Sequence, residues 1–398
     1  MNKLRLHLLG LPWTVTSKDF CDCAYTSKIL KFAKMMTARG HEVTHYGAEG
    51  ATVECPHVTV MTQAEQMAYF GPRDLNKPWG PPWDPNHHAW GMFNAMCAAN
   101  ISQRLQPGDF ICHITGASRP LSWFFKERPD VVHVEYGIGY SGVFADYKAF
   151  ESHSIRDAIW FHDNWEPDGR SKDWVIPNYF DVDDFPAGTG KGPTWTGATG
   201  GSAEVLGGDY LLFVGRIIRR KGLAVAMETA KRVGMKLIIA GQGATRQGGA
   251  LVAQDGVIYR GGDWDYVGRI DAEQRAKLMG GARAILAPSY YTEPFGGVHV
   301  EAMLCGTPAI TYDWGGFSDT IENGKNGYRC MTLADFITAA KIAHTLDRNY
   351  VRERAISRFS LEAVAPMFEQ WFQMIRDDKT PTGWETEHPE RTNLDWMR

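Results

Sequence analysis

The feature that most constrains this chain is a strand and helix rhythm that runs, breaks and starts again. "LRLHLLG" (4–10) is a short apolar run. "AYTSKILKFAKMMTARG" (24–40) then repeats its apolar residues at helical spacing and stops at Gly40, and "HEVTHYG" is a second strand. Strand, helix, strand in that order implies a parallel sheet with right-handed crossovers. "DFICHITG" (109–116) and "DVVHVEYG" (130–137) extend the sheet, with an aromatic helical segment between them. The segment "AGTGKGPTWTGATGGSAEVLGG" (187–208), rich in Gly and Thr, reads as a linker. After it come "YLLFVG", "GLAVAMETAKRVG", "KLIIAG", "AEQRAKLMGGA" and "AILAPS", which alternate strand and helix once more. A chain of 398 residues suits two such domains better than one core. The division implied is an N-terminal domain (1–186), the linker (187–208), a second domain (209–357) and a C-terminal helix with a polar tail (358–398). The helical pattern there is "SLEAVAPMFEQWFQMI" (360–375).

Composition narrows the function classes. A formal charge of -4 argues against holding nucleic acid by bulk electrostatics, although a local basic groove stays open. Lys18, Lys28, Lys31, Lys34 and Arg39 give a modest basic face, of a kind that is usually solvated helix surface. The opening "MNKLRLHLLGLPW" reads as a first strand, not a signal peptide, and no apolar run is long enough to span a bilayer. Seven scattered cysteines without a C-x-x-C pair fit reduced thiols in a cytoplasmic protein. The stretch 71–93, with five prolines and three tryptophans, reads as an ordered loop able to stack a sugar ring or a base.

The chemistry gathers in the second half. In "FVGRIIRRKG" a strand ends at Gly215, and Arg216, Arg219, Arg220 and Lys221 follow where ligands bind in open α/β sheets. A guanidinium fork and an ammonium point charge together suit a diphosphate, though a solvated basic turn would look the same. "LIIAGQGATRQGG" opens into Gly241 and Gly243, which would let a nucleotide approach the backbone. Neither this nor "GLPWTVTSKDF" has the full dinucleotide spacing, and no Walker A sequence is present, so a nicotinamide-dependent dehydrogenase is poorly supported. "TEPFGGVHVEAMLCGTPAI" (292–310) sets Glu293 and Glu301 around Gly296 and Gly297 at the mouth of a helix. Such a helix start attracts an anion. Carboxylates beside a diphosphate make sense only if they face hydroxyls. A sugar nucleotide supplies both, a pyrophosphate flanked by two polyols.

"FVGRIIRRKG", "APSYYTEPFGGVHVEAMLCGTPAI" and "GGFSDTIENGKNGY" together resemble the retaining, nucleotide-sugar-dependent glycosyltransferases of family 4. The resemblance is specific over roughly 175–330. It implies the GT-B fold: two Rossmann-like α/β domains facing each other across a cleft, with a C-terminal helix crossing back to the first. The family hallmark, Glu, seven residues, Glu, is met by Glu293 and Glu301. By resemblance Glu293 serves the donor-sugar hydroxyls and Glu301 the ribose. Arg216 and Lys221 match the diphosphate pair, and Phe295, Gly296, Gly297 and Val298 the loop that holds sugar and phosphates. Gly215 and Gly241 join the donor-binding set. The glycine pair often found after the first strand is replaced by Gly10, Leu11 and Pro12, so only Gly10 carries over.

Retention then needs no strong protein base, because the leaving diphosphate can take the acceptor's proton, and Glu293, Arg216 and Lys221 orient and stabilise. The implied co-substrate is a nucleotide-diphosphate sugar, a UDP-sugar first, with no further cofactor. No metal is expected: "DWD" (263–265) and "DVD" (181–183) fit the spelling of a metal motif without its context. Glu135 leads the acceptor-side and catalytic candidates in the first half, followed by Tyr136 and His113, each of which could equally be a satisfied core residue. "CAYTSKILKFAKMMTARGHEV" and "VEYGIGYSGVFADYKAFES" are similar to phage-encoded glycosyltransferases, which adds a hydroxymethylated DNA base to a glycan, a lipid or a small molecule as acceptor. A glycosidase would use two carboxylates but would not need Arg216 and Lys221. A non-catalytic sugar-nucleotide-binding protein is the rival from another class.

Overall fold

The computed structural model describes residues 3–20, 23–72, 84, 86–163, 172–190 and 209–379. Most of the tryptophan-rich stretch, the linker beyond residue 190 and the tail from residue 380 lie outside these residues. The chain divides into two compact units, one holding Met1–Asp74, Trp79–Tyr179 and Leu361–Arg398, the other Leu75–Pro78 and Phe180–Ser360. Phe180 to Pro186, expected in the first domain, therefore group with the second. The reason is apolar: Phe180 and Phe185 are buried in one core with Phe295, Val300 and Phe359.

The first unit is built on seven parallel strands: β1 (Arg5–Leu9), β2 (Glu42–Ala48), β3 (His57–Met61), β4 (Phe110–His113), β5 (Val132–Ile138), β6 (Tyr147–Phe150) and β7 (Asp173–Val175). Their order is β3-β2-β1-β4-β5-β6-β7. The helix Ala24–Ala38 buries Ile29, Phe32, Ala33 and Met36, a stripe at i, i+3, i+4 and i+7 that follows directly from the sequence pattern. The last helix, Leu361–Asp378, belongs to this unit. Its Phe368 meets Phe32 edge to face at 5.0 Å, Phe372 meets Phe110 at 4.8 Å, and Glu369 takes a two-pronged bond from Arg39 at 2.8 and 2.7 Å.

The second unit contains β8 (Tyr210–Val214), β9 (Lys236–Ala240), β10 (Ala244–Gln247), β11 (Ala250–Ala253), β12 (Ile258–Arg260), β13 (Trp264–Gly268), β14 (Ala284–Ala287), β15 (Ala309–Tyr312) and β16 (Gly327–Cys330). Six of them form a parallel sheet in the order β13-β9-β8-β14-β15-β16, and β10, β11 and β12 form a separate antiparallel meander. The helix Leu223–Val233 buries Leu223, Ala226, Met227 and Ala230, again one stripe, and ends at Gly234. From β8 the chain adds β9 and then β13 on one flank, and returns with β14 on the other. The sheet's topological switch therefore lies between β8 and β14, the place where open α/β sheets bind ligands.

No helix among the described residues is long and apolar enough to cross a membrane. Cys23, Cys55, Cys97, Cys112, Cys305 and Cys330 are free thiols, and Cys21 lies outside the described residues.

Candidate active site

The connection after β8 and the one after β14 are pressed together at this switch. Gly222 has φ +76°, and a Cβ there would stand 1.8 Å from the Pro288 carbonyl oxygen, so only glycine fits. The Tyr290 N–H donates to the Arg220 carbonyl at 2.8 Å. This contact delivers Lys221, from the first connection, to Glu293, from the second. They are 72 positions apart in sequence and form an ion pair.

Glu293 is buried, with 6% of its surface exposed. Its Oε1 accepts from Lys221 Nζ and, at 2.8 Å, from Ser289 Oγ. Its Oε2 accepts from the Tyr291 hydroxyl at 2.7 Å. Burial alone would raise its pKa, but the Lys221 charge and these hydrogen bonds outweigh burial and hold the carboxyl below its ordinary value. The segment after β15 fixes the loop from above. Trp314 Nε1 donates to the Ser289 carbonyl at 3.0 Å and Gly316 N to the Glu293 carbonyl at 2.8 Å.

Cations crowd the same place. Arg220 lies over the Tyr291 ring at 4.8 Å and Lys221 over it at 5.0 Å. Arg216 is exposed, and its guanidinium makes no hydrogen bond or ion pair with the described residues. Gly215 ends the strand. Gly241 was expected to admit a nucleotide, but the close approach at this glycine is made by the chain itself, since a Cβ there would stand 1.9 Å from the Gly215 carbonyl oxygen. The glycine thus lets the two strand-end turns pack against each other.

The helix Gly297–Leu304 starts from Gly296 without a side-chain cap, and its first turn leaves backbone N–H groups free of intrahelical partners. Phe295 is a core side chain, stacked on Phe180 at 6.2 Å, and only its backbone belongs to the loop. Val298 is partly buried against the same core. Glu301, on the helix, pairs with Arg275 at 3.0 Å. Chemically, Arg216, Lys221 and the uncapped helix start are groups able to receive an anion, and Glu293 and Glu301 keep lone pairs that can accept hydroxyl hydrogen bonds. Sequence reasoning missed Ser289, Tyr291, Trp314 and Arg275.

The first-unit candidates have other occupations. Glu135 is fully buried in β5. It accepts from Phe144 N at 2.6 Å, Ala145 N at 2.8 Å and the Tyr140 hydroxyl at 3.1 Å, so its carboxylate holds the loop that follows. Burial raises its pKa despite those bonds. Tyr136 is enclosed in the core with its ring 4.5 Å from Phe32. His113 is also fully buried, with Nδ1 on Ser118 Oγ at 2.7 Å and Nε2 on His133 at 2.9 Å, and burial pushes its pKa well down. Enclosure removes Tyr136 and His113 from any acceptor surface. Gly10 follows β1 in the first unit, its N–H bonded to the Tyr46 carbonyl at 2.7 Å, whereas the other donor candidates belong to the second unit.

Among the described residues no three His, Cys, Asp or Glu side chains are grouped to hold a metal ion. Asp263 and Asp265 of the "DWD" spelling face Lys236, at 3.8 and 2.9 Å.

Known proteins resemble this chain in sequence and in fold. Residues 202–358 match the glycosyl transferases group 1 family. Among curated relatives, glycogen synthase from Mycobacterium tuberculosis is 32% identical over 168 residues, covering 39% of this chain and 40% of that protein. The chain thus spans well under two thirds of that relative's length. Among solved structures, sucrose-phosphate synthase from Thermosynechococcus elongatus superposes with a TM-score of 0.66 at 18% identity, covering 94% of this chain and 99% of that one. Anabaena HepE in complex with UDP-glucose does so with a TM-score of 0.60 at 16% identity, covering 93% and 99%. These neighbours establish the GT-B fold for this chain. Every donor candidate except Gly10 falls inside the group 1 segment, and Glu135, Tyr136 and His113 fall outside it.

Proposed function

We propose that this protein is a retaining glycosyltransferase that moves a sugar from a nucleoside-diphosphate sugar, a UDP-sugar first, to a hydroxyl acceptor without a metal ion. The observation that carries this reading is the meeting of Lys221 and Glu293 at the switch point, with the exposed Arg216 near enough to act on Tyr291. A cation held by a carboxylate but offered to an incoming diphosphate, next to an acceptor for sugar hydroxyls, is what a sugar nucleotide requires. The likeness to HepE, solved with UDP-glucose, favours uridine.

In the proposed reaction the acceptor oxygen bonds to the anomeric carbon as the bond to the diphosphate breaks on the same face. The acceptor proton passes to a diphosphate oxygen. Arg216 and Lys221 offset the charge growing on the leaving group, Glu293 orients the sugar, and Glu301, held by Arg275, takes the ribose. The backbone from Phe295 to Val298 receives sugar and phosphates.

The test is a panel of nucleotide sugars followed by thermal shift and by release of nucleoside diphosphate. The reading fails if no member raises the melting temperature. Binding of a nucleotide sugar without any release or transfer would instead favour a non-catalytic binding protein. Turnover unchanged by EDTA is expected. For the acceptor, intact-mass measurement after incubation with glycans, lipids and hydroxymethylated DNA decides among them, and a DNA acceptor should bind with a steep dependence on salt.

A further inference from the structure

Glu293 keeps its charge in a buried place through three donors, and they differ in kind. Ser289 and Tyr291 donate from neutral hydroxyls, whereas Lys221 donates from a charge. Tyr291 also touches Lys221: its hydroxyl accepts from Lys221 Nζ at 3.0 Å while donating to Glu293 Oε2 at 2.7 Å. The ammonium has three N–H bonds and uses two of them here. A doubly charged diphosphate arriving at this end of the sheet competes with Glu293 for Lys221. If the carboxylate depended on Lys221 alone, its charge would either hold the lysine back or be lost.

We propose that Tyr291 is a positioning residue of this site, its hydroxyl keeping the Glu293 carboxylate aimed while an incoming diphosphate draws Lys221 away. This rests on the diphosphate-sugar reading above and names the device that lets one lysine serve two anions. When Lys221 moves, the Ser289 and Tyr291 hydroxyls remain on Oε1 and Oε2, and each oxygen keeps a lone pair for a sugar hydroxyl. The phenol itself stays protonated, since burial and the Glu293 charge raise its pKa. Tyr291 is also fixed from the side by Arg220, stacked over its ring.

The groups that face Glu293 are few. Lys221 comes from the connection after β8, and Arg216 and Arg220 from the same connection act on Tyr291. His299, from the helix Gly297–Leu304, is buried and its pKa pushed down to about 4, so it gains charge only at the acid end of the range. Removing the phenol hydroxyl therefore leaves burial less opposed, and the Glu293 pKa must rise.

The experiment is calorimetry with UDP and with UDP-glucose from about pH 3 to 8 on the wild type, Tyr291→Phe and Tyr290→Phe. The phenyl ring left by Tyr291→Phe can still lie under Arg220, so the change isolates the hydroxyl. We expect Tyr291→Phe to bind both ligands roughly three- to tenfold more weakly, the worth of one hydrogen bond. We also expect the acid-side loss of affinity to move to higher pH, and Tyr290→Phe to match the wild type. Weaker binding with an unmoved acid limb would assign Tyr291 a packing role and overturn the inference, as would unchanged affinity. If Tyr291→Phe does not fold, Ser289→Ala, which removes the other neutral donor, is read by the same criteria. A wild type that binds neither UDP nor UDP-glucose but binds another nucleotide sugar moves the test to that ligand; one that binds none sinks the function itself.

Discussion

Two buried glutamates, Glu135 in the first unit and Glu293 in the second, look alike in sequence: each belongs to a strand or strand end of an α/β sheet with aromatic and glycine neighbours. Their donors separate them. Glu135 is held by two backbone N–H groups and a tyrosine of one loop, Glu293 by an ammonium and two hydroxyls from segments on either side of the switch point. Backbone donors cannot leave without unmaking the loop, so the first arrangement is a structural clasp. Side-chain donors can exchange partners, and a charged one can be won by a ligand. A buried carboxylate therefore signals a site less by its burial than by whether its partners are free to move.

The largest expected effect breaks the second arrangement. Lys221→Ala should lower sugar transfer by roughly two to three orders of magnitude, the usual loss when a donor to developing charge is removed. A parallel assay of Glu135→Gln should retain nucleotide affinity, because that carboxylate is taken up by the loop from Tyr140 to Ala145. Lys221→Ala turning over at the wild-type rate would dissolve the contrast.

Next in size is the clasp. Glu135→Ala leaves the buried Ala145 N–H without an acceptor, at about 1–3 kcal/mol, and the half-buried Phe144 N–H free to turn to water at less. The midpoint of urea unfolding should fall accordingly. A midpoint equal to the wild type's would mean that the loop from Tyr140 to Ala145 does not depend on this carboxylate.

How much of this contrast could be read in advance depends on what kind of fact each part is. The parallel sheets and their helices were legible because apolar spacing is a local property, as in Ile29, Phe32, Ala33 and Met36. The basic run from Arg216 to Lys221 and the carboxylates around Gly296 could be picked out because charged residues cluster there after strands of an α/β sheet, and the structure brings Lys221 and Glu293 together. Three things were not. The meander β10 to β12 has strands of only three or four residues, too short to show a period, although its Gly248-Gly249 and Asp255-Gly256 turns are hairpin signals that could have been used. Tyr291 and Ser289 carry no motif, and only the approach of Gly222 to Pro288 brings Lys221 to them. Glu135, Tyr136 and His113 sit near strand ends where ligands are expected, but β5 is buried on both faces over Val134 to Ile138, and pattern alone does not say which end residues open outward.

The smallest effect is the sharpest test, because the two glutamates must move stability with pH in opposite directions. Each starts from an ordinary value of 4.5. The folded-state pKa of Glu293 is lowered, burial being outweighed by Lys221 and the hydroxyl donors. The unfolded chain then binds more protons, so this residue's contribution is complete above pH 4.5 and is lost as pH falls through the lower, folded value. For Glu135 burial prevails over the Phe144, Ala145 and Tyr140 bonds and the Lys148 charge, and the folded-state pKa is raised. Here the folded chain holds its proton longer, so the contribution is complete below pH 4.5 and declines as pH rises to the folded value. Replacing either residue by Gln removes its titration. Unfolding free energies of Glu293→Gln and Glu135→Gln, subtracted from the wild type's at each pH from about 3 to 7, should therefore give two curves of opposite slope. Two curves that both fall as pH rises would show that both carboxylates are governed by burial, and that the ammonium of Lys221 does not hold Glu293 in the way the geometry requires.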